Sequence, residues 1–355
     1  MWTDTPLTQK LGLALPIIQA PMAGAVGPEL TVAVCEAGGL GSLSAAMLSP
    51  AKIREQAAFV RARTSSPFAL NLFSFEPGAA SEAQVARMQA LLAPMRAELG
   101  IPAPNGALAS AEDLEAQYQA ALEVKPPVLS FTFGIPRREL LEAFRARGTL
   151  LVGTATHLNE ALALEQAGVD VICVQGSEAG GHRGTFIGRA EDALIGTLTL
   201  VPLVAARVKL PVIAAGGIMY GRGVAATLAL GAQAAQLGTA FLACPEAGLH
   251  PLHLSALRSP AAAHTRITRA FSGRAARGIV NRLMEHLDAQ PDALLPYPLQ
   301  GAALRDLRAA ANAQQRWEYQ QLWAGQGAPL IRPMPAGELV QTLAREAEAS
   351  LGALR

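Results

Sequence analysis

The chain has 355 residues, 29 of them Lys or Arg and 28 Asp or Glu, and the resulting formal net charge of +1 argues against nucleic acid or an anionic membrane as its main partner. A hydrophobic content of 51% suffices for a large core in one big domain or two ordinary ones. Three scattered cysteines, Cys35, Cys173 and Cys244, suggest neither a zinc site nor a disulfide framework, and the lack of a signal core or of a long apolar run leads to the expectation of a cytoplasmic protein without a membrane span.

Apolar, β-prone runs recur along the chain. They are PIIQAPM at 16–22, GLGSLSAA at 39–46, PFALNLFS at 67–74, VLSFTFG at 128–134, LLVGTAT at 150–156, VDVICVQG at 169–176, PVIAAGGI at 211–218 and AAQLGTAFL at 234–242. Most are apolar throughout rather than alternating, as in parallel strands covered on both faces. Helical segments separate them, among them PELTVAVCEAG, SPAKIREQAAFVRAR, LNEALALEQAG and GRGVAATLALG. Ser49 is placed to cap the second of these with Pro50 in its first turn, and Gly38 and Gly168 stand where helices end. Eight strand–helix units predict an α/β fold of the (β/α)8 TIM-barrel type. A doubly wound open sheet is the alternative, because short-range pattern does not distinguish a closed sheet from an open one.

The connection 75–127 is long enough for two helices around the break GIPAPNGA. Residues 244–323 contain amphipathic segments and the turn-rich LLPYPLQG but no good strand, and read as a mostly helical cap following a barrel of residues 1–243. AGELVQTLAREAEASLGAL, within the last segment 324–355, reads as a helix returning to close the barrel.

In such a barrel the active-site residues stand at the C-terminal ends of the strands. Those ends carry Ala20-Pro21-Met22, Ser44, Asn71, Thr132, Thr154, Gln175, Gly216-Gly217 and Gly238-Thr239. The glycines at 217 and 238 let backbone N–H groups approach a phosphate closely, at the two strand ends where many barrels bind one. No P-loop and no GxGxxG opening a helix is present. Asn71 and Gln175 offer donors and an acceptor suited to the edge of a heterocycle, or to a loop backbone. Beyond the sixth run comes VQGSEAGGHRGT, which places His182 among Gly180, Gly181 and Gly184 on flexible flanks. A histidine so placed can accept or donate a proton near neutral pH. His157 reads as a helix-cap residue, and the cap histidines His250, His253, His264 and His286 lack a metal-binding pattern, so no metal is expected. Ser177 lacks a G-x-S-x-G elbow.

These residues resemble the nitronate monooxygenases, formerly called 2-nitropropane dioxygenases. The resemblance is carried by QAPMAG, NLF at 71–73, CVQGSEAGGHRGTF at 173–186, PVIAAGGI and QLGTAF, while LPYPLQ and LWAGQG in the cap are similar to class I members. It implies a barrel that binds FMN non-covalently and oxidises alkyl nitronates with O2 to a carbonyl product and nitrite, with propionate 3-nitronate as the implied substrate. Carried over by position, it puts Ala20, Met22, Asn71 and Gln175 around the flavin ring and Gly180, Gly217, Gly238 and Thr239 on the ribityl-phosphate side. His182 becomes the active-site histidine, with Thr132 and Tyr297 as substrate-binding candidates. Two positions depart from the family. Thr132 stands where some class I members have a second histidine, and Tyr220 stands where many members have an acid. The expected partners are a small nitronate and O2, with a homodimer as a candidate assembly. The rival readings on this scaffold are an FMN-dependent NAD(P)H oxidoreductase acting on a quinone or an enoyl thioester, and an FMN-binding protein without catalysis.

Overall fold

The computed structural model describes residues 1–102, 104, 108 and 113–353. The eight expected runs form β1 (Ile17–Gln19), β2 (Gly41–Ser44), β3 (Phe68–Phe73), β4 (Val128–Thr132), β5 (Leu150–Ala155), β6 (Val171–Gln175), β8 (Val212–Ala215) and β9 (Ala234–Leu237). A two-residue strand β7 (Gly181–His182) intervenes, and β10 (Thr265–Thr268) and β11 (Ala276–Ile279) follow. The eight long-range neighbours pair in parallel in the order β1-β9-β8-β6-β5-β4-β3-β2. Leu40 closes the ring: its N–H donates to Ile17 O at 2.9 Å, and its carbonyl accepts from Gln19 N at 2.9 Å. The sheet is therefore a barrel and not the open alternative.

Alternation along each strand sorts side chains between two layers. In β6, Ile172 and Val174 pack outward against helices, whereas Val171 and Cys173 join the barrel interior; in β8, Val212 and Ala214 point outward, Ile213 and Ala215 inward. Both faces are apolar, which is why these runs read as continuous. Leu7, on the short helix Pro6–Leu11, plugs the interior from below, with its N–H donating to Gln233 Oε1 at 3.0 Å.

Local signals hold where chemistry demands them. Ser49 Oγ accepts from Lys52 N to cap the helix Pro50–Arg61, and Gly38 and Gly168 adopt φ of 89° and 80° just past helix ends. His157 is the N-cap residue of Leu158–Gln166, although its ring caps nothing and instead contacts Ile187 O at 3.0 Å. Two helices, Glu82–Glu98 and Leu114–Val124, occupy the long third connection; the break between them lies partly outside the described residues. The C-terminal helix Ala336–Ala353 packs against Gly221–Ala229 and Pro28–Glu36, completing the outer ring.

The strand-free reading of 244–323 is corrected. β10 and β11 form an antiparallel ribbon there, and β11 also pairs with β7. The strands are only four residues long, and Arg266 and Arg277 within them mask the pattern. A second core joins Met88, Leu92 and Met95 of Glu82–Glu98 to Phe271, Leu304 and Leu307, so it draws on chain from both sides of residue 244. Arg96 anchors it, with its side chain only 4% exposed: Nε and Nη2 donate to Asp306 at 3.1 and 3.0 Å, Nη1 to Gln89 Oε1 at 2.6 Å, and Nη2 also to Ala303 O at 3.0 Å. Arg96→Met should lower the chemical-denaturation midpoint by the equivalent of about 2 kcal/mol, because buried acceptors lose a charged donor. Arg54→Met, which breaks an exposed pair with Glu123, should leave the midpoint unchanged in the same assay.

Candidate active site

A cavity of about 1000 Å³ opens at the C-terminal ends of the barrel strands, beneath the segment 248–325. Strand parity delivers its floor. Asn71 shares the inward face of β3 with Ala69, Thr132 that of β4 with Val128, and Gln175 that of β6 with Val171 and Cys173. Ala20, Met22, Asn71, Thr132, Gln175, Gly180, His182, Gly217, Gly238, Thr239 and Tyr297 all line this one cavity, so the eleven cofactor, catalytic and substrate candidates come together there; Ser44 does not reach it. Tyr220 is not among the lining residues; it is the N-cap residue of Gly221–Ala229, under the Arg332 guanidinium at 4.8 Å. The side chain at 220 therefore forms no part of this cavity's wall.

The glycine-histidine loop is pinned rather than flexible. His182 and Gly181 pair with Ala276 and Arg277 of β11. Gln175 closes the loop from below, donating from Nε2 to His182 O and accepting at Oε1 from Gly184 N, both at 2.9 Å. Its amide thus takes the loop-backbone role. Arg183, 1% exposed, donates to the carbonyls of Gly176, Gln175 and Ala193 at 2.6, 3.0 and 3.1 Å. Glu160, fully buried, accepts from the amides of Thr156 and Ile187 at 2.6 and 2.9 Å. Gly180 serves close approach: a Cβ there would lie 2.4 Å from Gly325 N and 2.5 Å from Ala324 C, whereas Gly181 is required by its φ of 71°.

His182 sits in an aromatic ring of residues. Trp323, Phe133, Tyr297 and Phe73 lie with centroids 5.4, 5.5, 5.7 and 6.4 Å from its own. Its Nε2 contacts Ser272 Oγ at 2.9 Å, and that hydroxyl donates to Arg274 O at 3.1 Å. A serine hydroxyl has one proton. We assign that proton to Arg274 O, with Ser272 Oγ accepting from Arg274 N at 3.3 Å and from His182, which puts the ring proton on Nε2. Nδ1, which has no protein partner among the described residues, keeps the lone pair. Burial and then the nearby Arg274 charge push the ring's pKa down to about 3, so it is neutral at physiological pH. Arg274 itself lies 4.0 Å over the Phe133 ring and donates to Thr185 O.

The glycine-rich turns behave differently from the loop. Gly216 and Gly217 adopt φ of 121° and 71°, conformations closed to most side chains. The amides of Gly217, Ile218 and Gly238 donate to no acceptor among the described residues. Thr239 Oγ1 accepts from Gly325 N at 2.9 Å, and Asn71 Nδ2 donates to Ser130 Oγ at 3.0 Å, leaving the side-chain Oδ1 of Asn71 without a donor among the described residues. Met22 and Ala20 flank Gly238, giving a flat apolar wall.

The Nitronate monooxygenase family profile matches residues 4–346. The chain belongs to the nitronate monooxygenase family. It is thereby an enzyme of a flavin-dependent family. A nitronate monooxygenase of Pseudomonas aeruginosa is 45% identical over 348 residues, covering 96% of this chain and 98% of that protein. The crystal structure of nitroalkane oxidase from Streptomyces ansochromogenes matches with a TM-score of 0.91 at 42% identity, over 98% of this chain and 99% of that one. FabK from Thermotoga maritima shares the architecture at a TM-score of 0.77 and 27% identity, over 99% and 98%.

Several residues of this family site escaped sequence reading. Ser272, Arg274 and Trp323 reach His182 from the cap, and nothing local in FSGR or LWAG announces a histidine partner. Phe133 adopts φ of 82°, an outlier for a bulky residue, held by Phe73 at 4.3 Å and by Arg274. Glu178 accepts from Thr197 N and Oγ1 at the start of Thr197–Ala205, so that helix terminus is already satisfied by a carboxylate. Among the described residues no group of three or more His, Cys, Asp and Glu could hold a metal, and no helix is long and apolar enough to cross a membrane.

Histidine-selective ¹⁵N NMR, with His182→Asn for assignment, should find His182 as the Nε2–H tautomer and neutral from pH 8 down to 5. Ser272→Ala should admit the second tautomer. Because the folded value lies below the ordinary 6.5, the unfolded chain takes up a proton first. The stability tied to this group is thus full above pH 6.5 and declines as pH falls toward 3. A resonance titrating near 6.5 in the folded protein would contradict the buried, Ser272-bonded geometry.

Proposed function

We propose that the chain binds FMN in this cavity and oxidises alkyl nitronates with O2, giving a carbonyl compound and nitrite. The observation that carries the reading is the convergence on one cavity of two unlike ends. One has unpartnered amides at Gly217, Ile218 and Gly238, and the other a neutral histidine with a free ring nitrogen. The glycine turns have no side chain where a phosphate would approach, and their N–H groups fit an oxyanion. The apolar wall of Ala20, Met22 and Gly238, with Asn71 Oδ1 on the same cavity lining, suits a planar heterocycle with polar edges. Bound there, FMN supplies the electron-transfer chemistry between an electron-rich nitronate and O2.

The chain's own residues then do three things. The aromatic residues around His182 exclude water from the reacting end. Ser272 fixes the tautomer, so Nδ1 is the atom that accepts a proton. A neutral nitroalkane must lose its α-proton to become a nitronate; Nδ1 is the base placed for that step, and with the ring's pKa pushed down to about 3 it is a weak one, so preformed nitronates are the better substrates. A preformed nitronate needs no base, and a ring held neutral attracts it less than a cation would. Thr132 and Tyr297, which line the same cavity beside His182, are the proposed substrate contacts.

His182→Asn should lower turnover of a neutral nitroalkane by about 10²–10⁴ and that of the preformed nitronate by less, with flavin content near normal, read by O2 consumption with each form across pH. Equal losses for both forms would reject the base role. Gly217→Asp should strip the flavin: it forces a side chain into φ of 71°, 3.1 Å from Glu178 Cβ, and sets an anion beside the phosphate-facing amides. The purified parent should release FMN rather than FAD on denaturation, and the folded Gly217→Asp variant should retain little of it. Anaerobic mixing discriminates the rivals: nitronate, and not NAD(P)H, should change the flavin spectrum.

A further inference from the structure

The outer helix Thr197–Ala205 has the sequence TLTLVPLVA and, of the described helices with eight or more residues, is the one with no Asp, Glu, Lys or Arg. Leu200, Val201 and Val204 on its inner side are buried in the barrel core. The outer side is apolar as well. Leu198 is 71% exposed, and Leu194, four residues before it, is 44% exposed. Pro202 continues this stripe one turn later, half-buried, with Leu203 beside it at 36% and Ile187 earlier in the same connection at 39%. Four of the seven exposed large apolar side chains among the described residues thus fall within residues 187–203, a concentration that marks a contact surface rather than scattered surface leucines. None of the four lines the barrel-mouth cavity, so this face serves something other than the reaction site.

The charges at the two ends of the helix fit a particular occupant. Before its N-terminus stand Glu191 and Asp192, both exposed, and Asp192 reaches only Arg189, at 3.9 Å. Just beyond its C-terminus stand Arg207 and Lys209, exposed and without an ion-pair partner among the described residues. In a two-fold pair, two copies of this helix run antiparallel and the same patch meets itself. A crossing at the level of Leu200 sets Leu198 of one copy against Pro202 of the other, and Glu191 and Asp192 opposite Lys209 and Arg207 at both ends at once. The patch is its own electrostatic complement. We propose that a second copy of this chain covers this face, in a two-fold homodimer with Leu198 at the centre and these charge pairs at the rim. An apolar centre inside a polar rim is the usual anatomy of such an interface. The proposal is independent of how the cavity is read.

Sedimentation velocity of the full chain across a concentration series, with circular dichroism as the check on folding, tests the face. The parent should sediment as a dimer. Leu198→Glu should weaken dimerisation by about 30-fold or more, the effect of losing a central interface residue. The double variant Arg207→Asp/Lys209→Asp should weaken it about tenfold by setting like charges opposite each other, and adding Asp192→Lys should restore most of that loss. The charge-reversal series keeps the test decisive if Leu198→Glu misfolds, because all three residues are exposed in a single copy. A parent that stays monomeric at the highest concentration overturns the proposal and leaves the face to a different partner. A dimer indifferent to a folded Leu198→Glu variant overturns it as well, as does a charge reversal that the compensating Asp192→Lys does not rescue.

Discussion

Two residues of a barrel loop, Gly181 and His182, pair antiparallel with Ala276 and Arg277 of the cap, and the layout of the barrel mouth follows from that pairing. It sets the height of the histidine above the strand ends. It also brings Ser272 and Arg274, which precede β11, within reach of the ring. The same ribbon carries Arg277, whose Nε donates to Ser177 O at 3.0 Å and ties the loop down a second time. Without the ribbon, a segment with glycine at 180, 181 and 184 would have no reason to hold one conformation. With it, the loop is as constrained as a strand.

Around that junction, polar groups divide into those committed to structure and those left over. Gln175, Arg183, Glu160, Glu178 and Thr239 each find partners within the chain. Buried polar groups normally do. The groups left over on the cavity wall are the amides of Gly217, Ile218 and Gly238, the Asn71 side-chain Oδ1, His182 Nδ1 and Arg308 Nε. Among the described residues, buried atoms without a partner also occur away from that wall, at Arg183 Nε, Ser44 Oγ and the Tyr118 and Tyr319 hydroxyls among others. An unsatisfied group in a folded protein calls for an explanation, and a ligand that meets several at once is a simpler one than separate defects.

The neutrality of His182 arises from the same packing. Four aromatic rings bury it beside a guanidinium, and the burial first and the Arg274 charge second disfavour the imidazolium. Ser272 fixes which nitrogen holds the proton. Burial usually makes a histidine inert; here one ring nitrogen is left without a protein partner, in a cavity large enough for a cofactor and a small substrate together.

The sequence by itself determined the eight parallel strands and the placing of Asn71, Thr132 and Gln175 at their ends. It also determined the two glycine turns at which backbone amides would be exposed. Those features are legible because they depend on near neighbours in the chain: continuous apolar runs ending in a polar residue, a cap at a helix start, a positive φ that only glycine accepts readily. The family resemblance added Tyr297 and the site assignment of His182. Only the tertiary structure decided that the loop is pinned, that Gln175 holds its backbone, that Ser272 sets the tautomer from 90 residues away, and that Asp306 is claimed by Arg96 while Arg308 is left unpaired. Short-range pattern carries no information about which distant donor meets which acceptor, because that depends on how barrel and cap pack. Two four-residue strands carrying arginines give too weak a local signal to reveal that packing in advance.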